Sequence, residues 1–537
     1  MERRYHRSDF HMRSIALLVL LSLALPALAK APCAPGLVWE DRNSNGRRDP
    51  GEPALQGIRL SDGEQVVSTN FQGEYALPLI DGRTVFLIKP ASHALPVRRD
   101  GAPDFWFNVQ REGGPTLKYG GIAPQPAQCR NFGLLPRGAA ERDAPLEALL
   151  FADPQVKSPQ DVDYYWRDIV QPLVNRPGAT LGMSLGDLVD DDLSLFPDVL
   201  RTTMSLGVPW MHLPGNHDMD LDAASDEDAL RTYRAHFGPD TYAREEDHAV
   251  FIAMDNVIHQ PTRTPAYTGG LRADQFAFLQ AYLPTLPKDR LLVLGMHIPL
   301  FEEGSSDTFR DADRVRLFAL LRDFPSVLIV SGHAHTQRHW YHAAASGWHG
   351  SSPLHEYSVG AACGAFWSGV KDPAGIPVAT MADGTPNGYA RLGITRGGAY
   401  ALSWHPARAQ SDTGVGLHLP KVLRKGAYPA WGVYANIYMG DADTQVDYRV
   451  DAGPWQAMKK VLQADPVLLS ENARDDAADA LRGYDRSPEA KPSHHLWRGA
   501  LPTDLDVGEH VVTVRARGRW VGAREATARY RLDATPP

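Results

Sequence analysis

The residues best suited to chemistry fall at the ends of apolar runs. Leu149–Ala152 ends at Asp153, with Gln155 two residues on. Gly182–Leu185 leads into Gly186-Asp187, and Trp210–Pro214 into Gly215-Asn216-His217-Asp218. Leu291–Met296 ends at His297, and Leu328–Ser331 leads into Gly332-His333-Ala334-His335. Carboxylate, amide and imidazole groups are ligands for hard-to-borderline divalent metals. Two such ions about 3.5–4 Å apart neutralise phosphoryl oxygens and supply a nucleophile at neutral pH. Hydrolysis of a phosphate ester is therefore chemistry this set can do. One carboxylate would bridge the ions, and the water they share would become hydroxide. The glycines beside Asp187, Asn216 and His333 permit sharp turns and close backbone approach.

The elements that must position these residues are strands and helices in alternation. Between about 145 and 345 the apolar runs are continuous, as in strands buried on both faces. Between them lie segments of helical spacing. The first begins at Ser158, a fitting N-cap. Others are RADQFAFLQAYLPTL and DADRVRLFALLRDF. Alternation of this kind predicts an α/β domain with a largely parallel sheet or pair of sheets. The carboxyl ends of such strands form the rim where ligands bind.

The ordered motifs D-x-Q, GDLVDD, GNHD, GMHIP and GHAH resemble those of the calcineurin-like metallophosphoesterases, over roughly residues 145–345. The resemblance implies a four-layer α/β sandwich. It places Asp153, Gln155, Asp187 and His335 on one metal, and Asp187, Asn216, His297 and His333 on a second, with Asp187 bridging. It implies two divalent or trivalent ions (Mn, Fe or Zn), a phosphomono- or phosphodiester substrate, and attack by a metal-bridging hydroxide. His217 would be the acid that is not a ligand, and Asp218 would orient its imidazole. The commoner first motif is Asp-x-His, so Gln155 is the weakest donor of the set. With no matching motif, His339, His342, His349 and His355 read as surface residues or supports, and Asp190-Asp191-Asp192 as a solvated turn or support.

The flanks differ from the centre. Residues 1–29 carry Arg3, Arg4, Arg7 and Arg13, then an apolar run from Ile15 to Leu25 and an Ala27-Leu28-Ala29 cleavage site. That is a signal for export, to the periplasm or the medium. No later segment is apolar enough to anchor the chain in a membrane. Residues 30–140 read as a β-sandwich, with short β-prone runs between Gly and Asp/Asn turns. Within it DRNSNGRRDPGE matches the calcium-loop template, with Asp41, Asn43, Asn45, the Arg47 carbonyl and Glu52 as ligands. The stretch also resembles the calcium-binding B-type repeats of bacterial surface adhesins, which are transthyretin-like sandwiches. The other reading is an Asn/Asp/Gly turn held by its own hydrogen bonds. Cys33 and Cys129 stand at the two ends of this domain, suited to a disulfide in an oxidising compartment.

Residues 346–537 return to β patterning and read as a third, β-rich domain. Within it MADGTPNGY (Met381 to Tyr389) resembles a segment of bacterial exported metallophosphoesterases that carry both N- and C-terminal β domains. With GAFWSG around Trp367, it reads either as a cover folded over the metal site or as a surface loop. Composition is that of a soluble globular protein, 43% hydrophobic and 22% charged, with a formal charge of −9. Nothing in it is basic enough for nucleic acid. The competing functional reading is a surface adhesion protein with an inactive core, which Gln155 and the adhesin-like loop would suit.

Overall fold

The computed structural model describes residues 33–534, except 127, 302–308, 409–413, 429–430 and 484. The export segment expected at 1–29 lies outside the described residues. No helix among them is long and apolar enough to cross a membrane.

The α/β core is built on two sheets. One is five-stranded, in the order Trp210–Leu213, Leu181–Leu185, Leu146–Phe151, Gly388–Ile394, Tyr400–Pro406. Its first three strands are parallel, Gly388–Ile394 runs antiparallel to them, and Tyr400–Pro406 runs antiparallel to Gly388–Ile394. The other is six-stranded, in the order Tyr242–Glu245, Ala249–Ala253, Leu291–Gly295, Val327–Ser331, Leu354–Ser358, Arg338–His342. Its four central strands are parallel. The sheets face each other: a Cβ on Gly295 would meet Met183 Sδ at 2.5 Å and Leu213 at 3.3 Å, so only glycine lets them approach this closely. Phe151 lies on the outer side, 4.9 Å from Trp210 and 6.3 Å from Tyr165 of the helix Pro159–Tyr165. That helix starts where the sequence places it, with Ser158 Oγ accepting the Asp161 N–H at 3.3 Å.

The strands 354–358, 388–394 and 400–406 complete the core sheets. The boundary expected at 345 is thus not a boundary between sheets. Gly388–Ile394 alternates buried and half-buried residues, and that pattern is the same in a sandwich as in an antiparallel strand added to a core sheet.

The N-terminal part forms two four-stranded sheets joined into the same apolar core as the α/β sheets. Cys33 is disulfide-bonded to Cys129, with Cα atoms 5.7 Å apart. Against the core it presents Phe86, 6.4 Å from Tyr242 and 6.0 Å from Phe278. Beside them Lys89 is 1% exposed. Its ammonium donates to Glu246 at 2.7 Å and to the Glu245 carbonyl at 3.0 Å. Arg137 and Arg244 also reach Glu246, each at 2.7 Å. Burial first, then the charge of Arg244, pushes Lys89 down to about 7, against the pull of Glu246. From 415 onward a four-stranded and a five-stranded sheet enclose a second apolar core. Trp520, in the turn after the strand Gly508–Gly518, leaves that domain to pack on the α/β core, stacked 4.8 Å from His355 and 5.4 Å from His339.

Three cations converge on Glu246, whereas Glu246 retains two of them when Lys89 is lost. Glu246→Gln should therefore lower stability by about 3 kcal/mol or more, and Lys89→Met by clearly less. Urea unfolding monitored by fluorescence measures both, and the reverse order would refute the account. A second prediction concerns His510, whose Nδ1 lies 2.7 Å from Asp451 Oδ2. Burial, the largest single effect, lowers His510, but the hydrogen bonds to Asp451 and the Asp506 carbonyl together with the charges of Asp451 and Asp506 outweigh it and leave the pKa raised. Burial likewise opposes the shift of Asp451, which His510 and the Val511 N–H hold below the usual carboxylate range. The pair contributes in full between the unfolded values of about 3.9 and 6.5. Its contribution is lost as pH falls through the folded Asp451 value or rises through the folded His510 value. Asp451→Asn should flatten the stability profile on both sides of that window.

Candidate metal centre

Seven of the expected residues come together where the two sheets share a rim. Asp153, Asp187 and Asn216 follow strands of the five-stranded sheet, and His297, His333 and His335 follow strands of the six-stranded one. Parallel strands end on one side, so each run delivers its polar residue to the same edge. Asp153 is 0% exposed, Gln155 2%, Asp187 2% and His297 0%.

The backbone makes close approach possible at a cost. Asp153, Gln155, Asp187, His333 and His335 have φ of +48°, +39°, +48°, +68° and +47°. Non-glycine residues visit this left-handed region rarely, and such strain gathers at functional sites. Gly215 is required for another reason, since a Cβ there would collide with the Asp187 carboxylate. At Gly332 it would come within 2.7 Å of Asp153 Oδ2.

The donor atoms point at common spaces. His297 Nε2 lies 3.0 Å from Asn216 Oδ1, 3.2 Å from His333 Nδ1 and 3.3 Å from Asp187 Oδ2. Ligand atoms of Asp187, His297 and His333 all lie within 4.8 Å of one another. On the other side His335 Nε2 lies 3.6 Å from Asp153 Oδ1. Gln155 Oε1 is buried and has no hydrogen-bond partner among the described residues. An orphaned buried carbonyl oxygen is costly unless something positive meets it. Two carbonyls orient the rings. His297 Nδ1 donates to Leu185 O at 2.8 Å, and His335 Nδ1 to Gly364 O at 2.7 Å. A carbonyl can only accept, so each Nδ1 carries the proton and each Nε2 keeps its lone pair for a cation. The residues present therefore suit two metal ions.

The electrostatics agree. Burial lowers His333 to about 3 and His335 to about 4, which keeps both imidazoles neutral and able to ligate. Burial, reinforced by the Asp187 charge, raises Asp153 to about 7. Burial opposes protonation of His297, but Asp187 outweighs it and raises that ring to about 9. Protons thus collect where cations would sit.

His217 is placed differently. Its N–H donates to Asp187 Oδ1 at 2.9 Å, while its ring turns to the rim. The ring Nδ1 meets Asp191 Oδ1 at 2.8 Å and Asp190 Oδ1 at 3.3 Å. Burial would lower the imidazole, but the Asp191 hydrogen bond and the charges of Asp187, Asp191 and Asp190 raise it to about 9. The orienting carboxylate expected at Asp218 is therefore Asp191. Asp218 points the other way and accepts the N–H groups of Gly215 at 2.8 Å, Leu188 at 2.9 Å and Val189 at 3.1 Å. It ties the Asp187 and Asn216 loops together. The acidic triplet that follows GDLV was the available signal for Asp191, and sequence order alone favoured the adjacent Asp218.

A cavity of about 480 Å³ opens on the centre. Its walls include His217, His333 and Phe366, together with Arg486 and Lys491 from beyond the core. Phe366 lies 5.0 Å from His335. Trp367 is buried behind it and donates from Nε1 to Pro154 O at 2.9 Å. Ala382, from the MADGTPNGY segment, also lines the cavity. His339, His342 and His355 do not support the ligands. His339 and His355 meet at 2.9 Å in the seam around Trp520, His342 pairs with Glu356 at 2.6 Å, and His349 is exposed.

The loop with the calcium pattern, Asp41 to Glu52, is laced by its own hydrogen bonds. Asp41 accepts the N–H groups of Asn45 at 3.1 Å and Gly46 at 2.8 Å. Glu52 accepts those of Arg42 and Asp49, both at 2.9 Å. The Asn43 and Asn45 amides both donate to Asp49 at 2.7 Å, and Asn45 Oδ1 accepts the Arg47 N–H at 2.8 Å. The loop satisfies its own polar groups, as an Asx-rich turn does.

Three family models match the chain in succession. They are the N terminal of calcineurin-like phosphoesterase at residues 42–119, calcineurin-like phosphoesterase at 148–337, and its C terminal at 356–522. The chain belongs to the calcineurin-like phosphoesterases. No curated protein matches it significantly. Among solved structures, this calcineurin-like phosphoesterase chain is similar to a purple acid phosphatase, PPD1, from yellow lupin (Lupinus luteus) seeds. Identity is 12% and the TM-score 0.37, over 70% of this chain and 67% of that one. It is also similar to GAP50, the anchor in the inner membrane complex of Plasmodium. There identity is 14% and the TM-score 0.31, over 49% and 85%. Overlaps this loose carry no argument about chemistry.

The different surroundings of the two carboxylates generate a prediction. Asp218→Asn removes charge-assisted bonds to buried N–H groups and should cost about 2 kcal/mol of stability. Asp191→Asn, at a half-exposed position, should change stability by no more than about 0.5 kcal/mol. Paired urea titrations give both values.

Proposed function

We propose that this protein is an exported hydrolase of phosphate mono- or diesters that uses two metal ions. The observation that carries the reading is the convergence of Asp153, Gln155, Asp187, Asn216, His297, His333 and His335 on one rim, with His217 beside them at an open cavity. Asp187 turns Oδ2 toward His297 and accepts the His217 backbone N–H on Oδ1. Bound ions would neutralise phosphoryl oxygens and lower the pKa of water to the neutral range.

The chain's own residues then have separate tasks. Asp153, Asp187 and the neutral imidazoles bind and orient. Asp191 holds His217 Nδ1, so Nε2 is the atom that can reach a substrate in the cavity. A protonated imidazole there hands its proton to the leaving oxygen, which is worth about 10²–10⁴ in rate. Export is supported by the signal-like residues 1–29 and by the Cys33–Cys129 disulfide, since such bonds persist in oxidising compartments.

The test is metal content together with hydrolysis of p-nitrophenyl phosphate and bis(p-nitrophenyl) phosphate. The wild-type protein should hold about two ions and turn over at least one ester. Asp187→Asn should abolish turnover and lower the content of both ions. His217→Ala should cut kcat at least about 100-fold with metal content intact. A metal-free, inactive wild-type protein, or a fully active Asp187→Asn variant, would sink the reading.

A further inference from the structure

A second cavity of about 330 Å³ adjoins the first. Both are walled by Ala334 and Lys491. Ala334 separates the ligands His333 and His335, so the second cavity begins one residue from the metal centre. A group attached to a phosphorus held there would extend into it.

Its chemistry is distinctive. Trp340 and Phe301 line it, their ring centroids 6.1 Å apart and tilted by 37°. The Arg338 guanidinium stacks 3.5 Å over the Trp340 ring and caps it, so the outer face of the guanidinium is the flat surface. Arginine and indole faces are platforms on which planar rings stack. The charged groups are cationic: Arg338 and Lys491, with His494 Nε2 accepting from Arg338 at 3.0 Å. Lys491 is exposed and its ammonium makes no ion pair among the described residues. Asp383 is the lining carboxylate, and its charge is already spent. It accepts the Gln337 N–H at 2.8 Å and the Thr385 N–H at 2.9 Å, and pairs with His495 at 3.0 Å.

We propose that this cavity binds the rest of a phosphodiester substrate, and that it takes a planar ring bearing a further anionic group, the chemical class of a nucleotide. Arg338 stacked on Trp340 supplies the ring platform and Lys491 the contact for the second anion. Binding of one nucleotide requires no basic stripe, which is consistent with a chain of net charge −9. The proposal rests on the hydrolase reading and extends it to substrate choice.

The test uses the full metal-loaded protein and three esters that release the same p-nitrophenolate. They are methyl p-nitrophenyl phosphate, thymidine 5′-(p-nitrophenyl phosphate), and the latter with an added 3′-phosphate. kcat/KM should rise about tenfold at each step. Trp340→Ala should erase the first rise and Lys491→Ala the second, while Trp340→Phe should keep most of the first. Equal kcat/KM for all three esters, or rises that survive both alanine variants, would overturn the inference and leave the hydrolase reading standing. A second arm needs no turnover: calorimetric binding of thymidine 3′,5′-bisphosphate. Binding weakened about tenfold by each alanine substitution supports the cavity even if no ester is cleaved, and in that case only the hydrolase reading falls. Absence of binding to the wild-type protein overturns the inference.

Discussion

Two carboxylates without water, Asp153 and Asp187, set the terms for the rest of the structure. A buried charge costs several kcal/mol unless opposite charge or hydrogen bonds meet it. Here the neighbours are imidazoles, and the balance among them is visible in the pKa pattern. Asp187 is held below the usual carboxylate range although burial pushes it up, chiefly because of His297. Asp153, given less compensation, rises to about 7. The surrounding loops are built to keep this unfavourable group of like charges together. They accept left-handed backbone at five ligand positions and spend two glycines on closeness. Such strain persists only where neighbouring structure over-determines it. Parallel strands buried on both faces provide that rigidity.

The flanking domains are fastened to this centre in different ways. The N-terminal sheets share the core's apolar cluster and add a buried knot of Lys89, Glu246, Arg137 and Arg244. The C-terminal sandwich has a separate apolar core and docks through directed contacts. Trp520 Nε1 donates to Tyr341 Oη at 2.7 Å, and His495 bridges Asp383 and Asn436 at 3.0 and 2.6 Å. These contacts bring Arg486 and Lys491 to the rim. The cavity is therefore walled by residues nearly 340 positions apart in the chain, and the late domain shapes its mouth.

Much of this was legible without coordinates, and the failures have a common form. Strand ends carried the clustered Asp, Asn and His residues, and Ser158 capped its helix, because both signals are local. The family resemblance assigns the orienting role to Asp218, whereas in the fold Asp191 meets the His217 ring and Asp218 turns to backbone N–H groups. The sequence did not show that strands 388–394 and 400–406 join a core sheet, because period-two alternation reports a half-buried strand and says nothing of which sheet it joins.

The sequence by itself determined which acidic, amide and imidazole side chains stand together at the rim and at which ends of which runs they stand. It could do so because a strand buried on both faces leaves only its termini for polar groups, a constraint that acts along one dimension. Tertiary structure alone decided that Asp191 holds His217, that Gly364 O orients His335, and that Lys491 joins two cavities. Those outcomes depend on how the two sheets and the last domain pack. His333 donates its N–H to Asp153 across 180 residues and Asp383 meets His495 across 112, separations over which no local periodicity carries information.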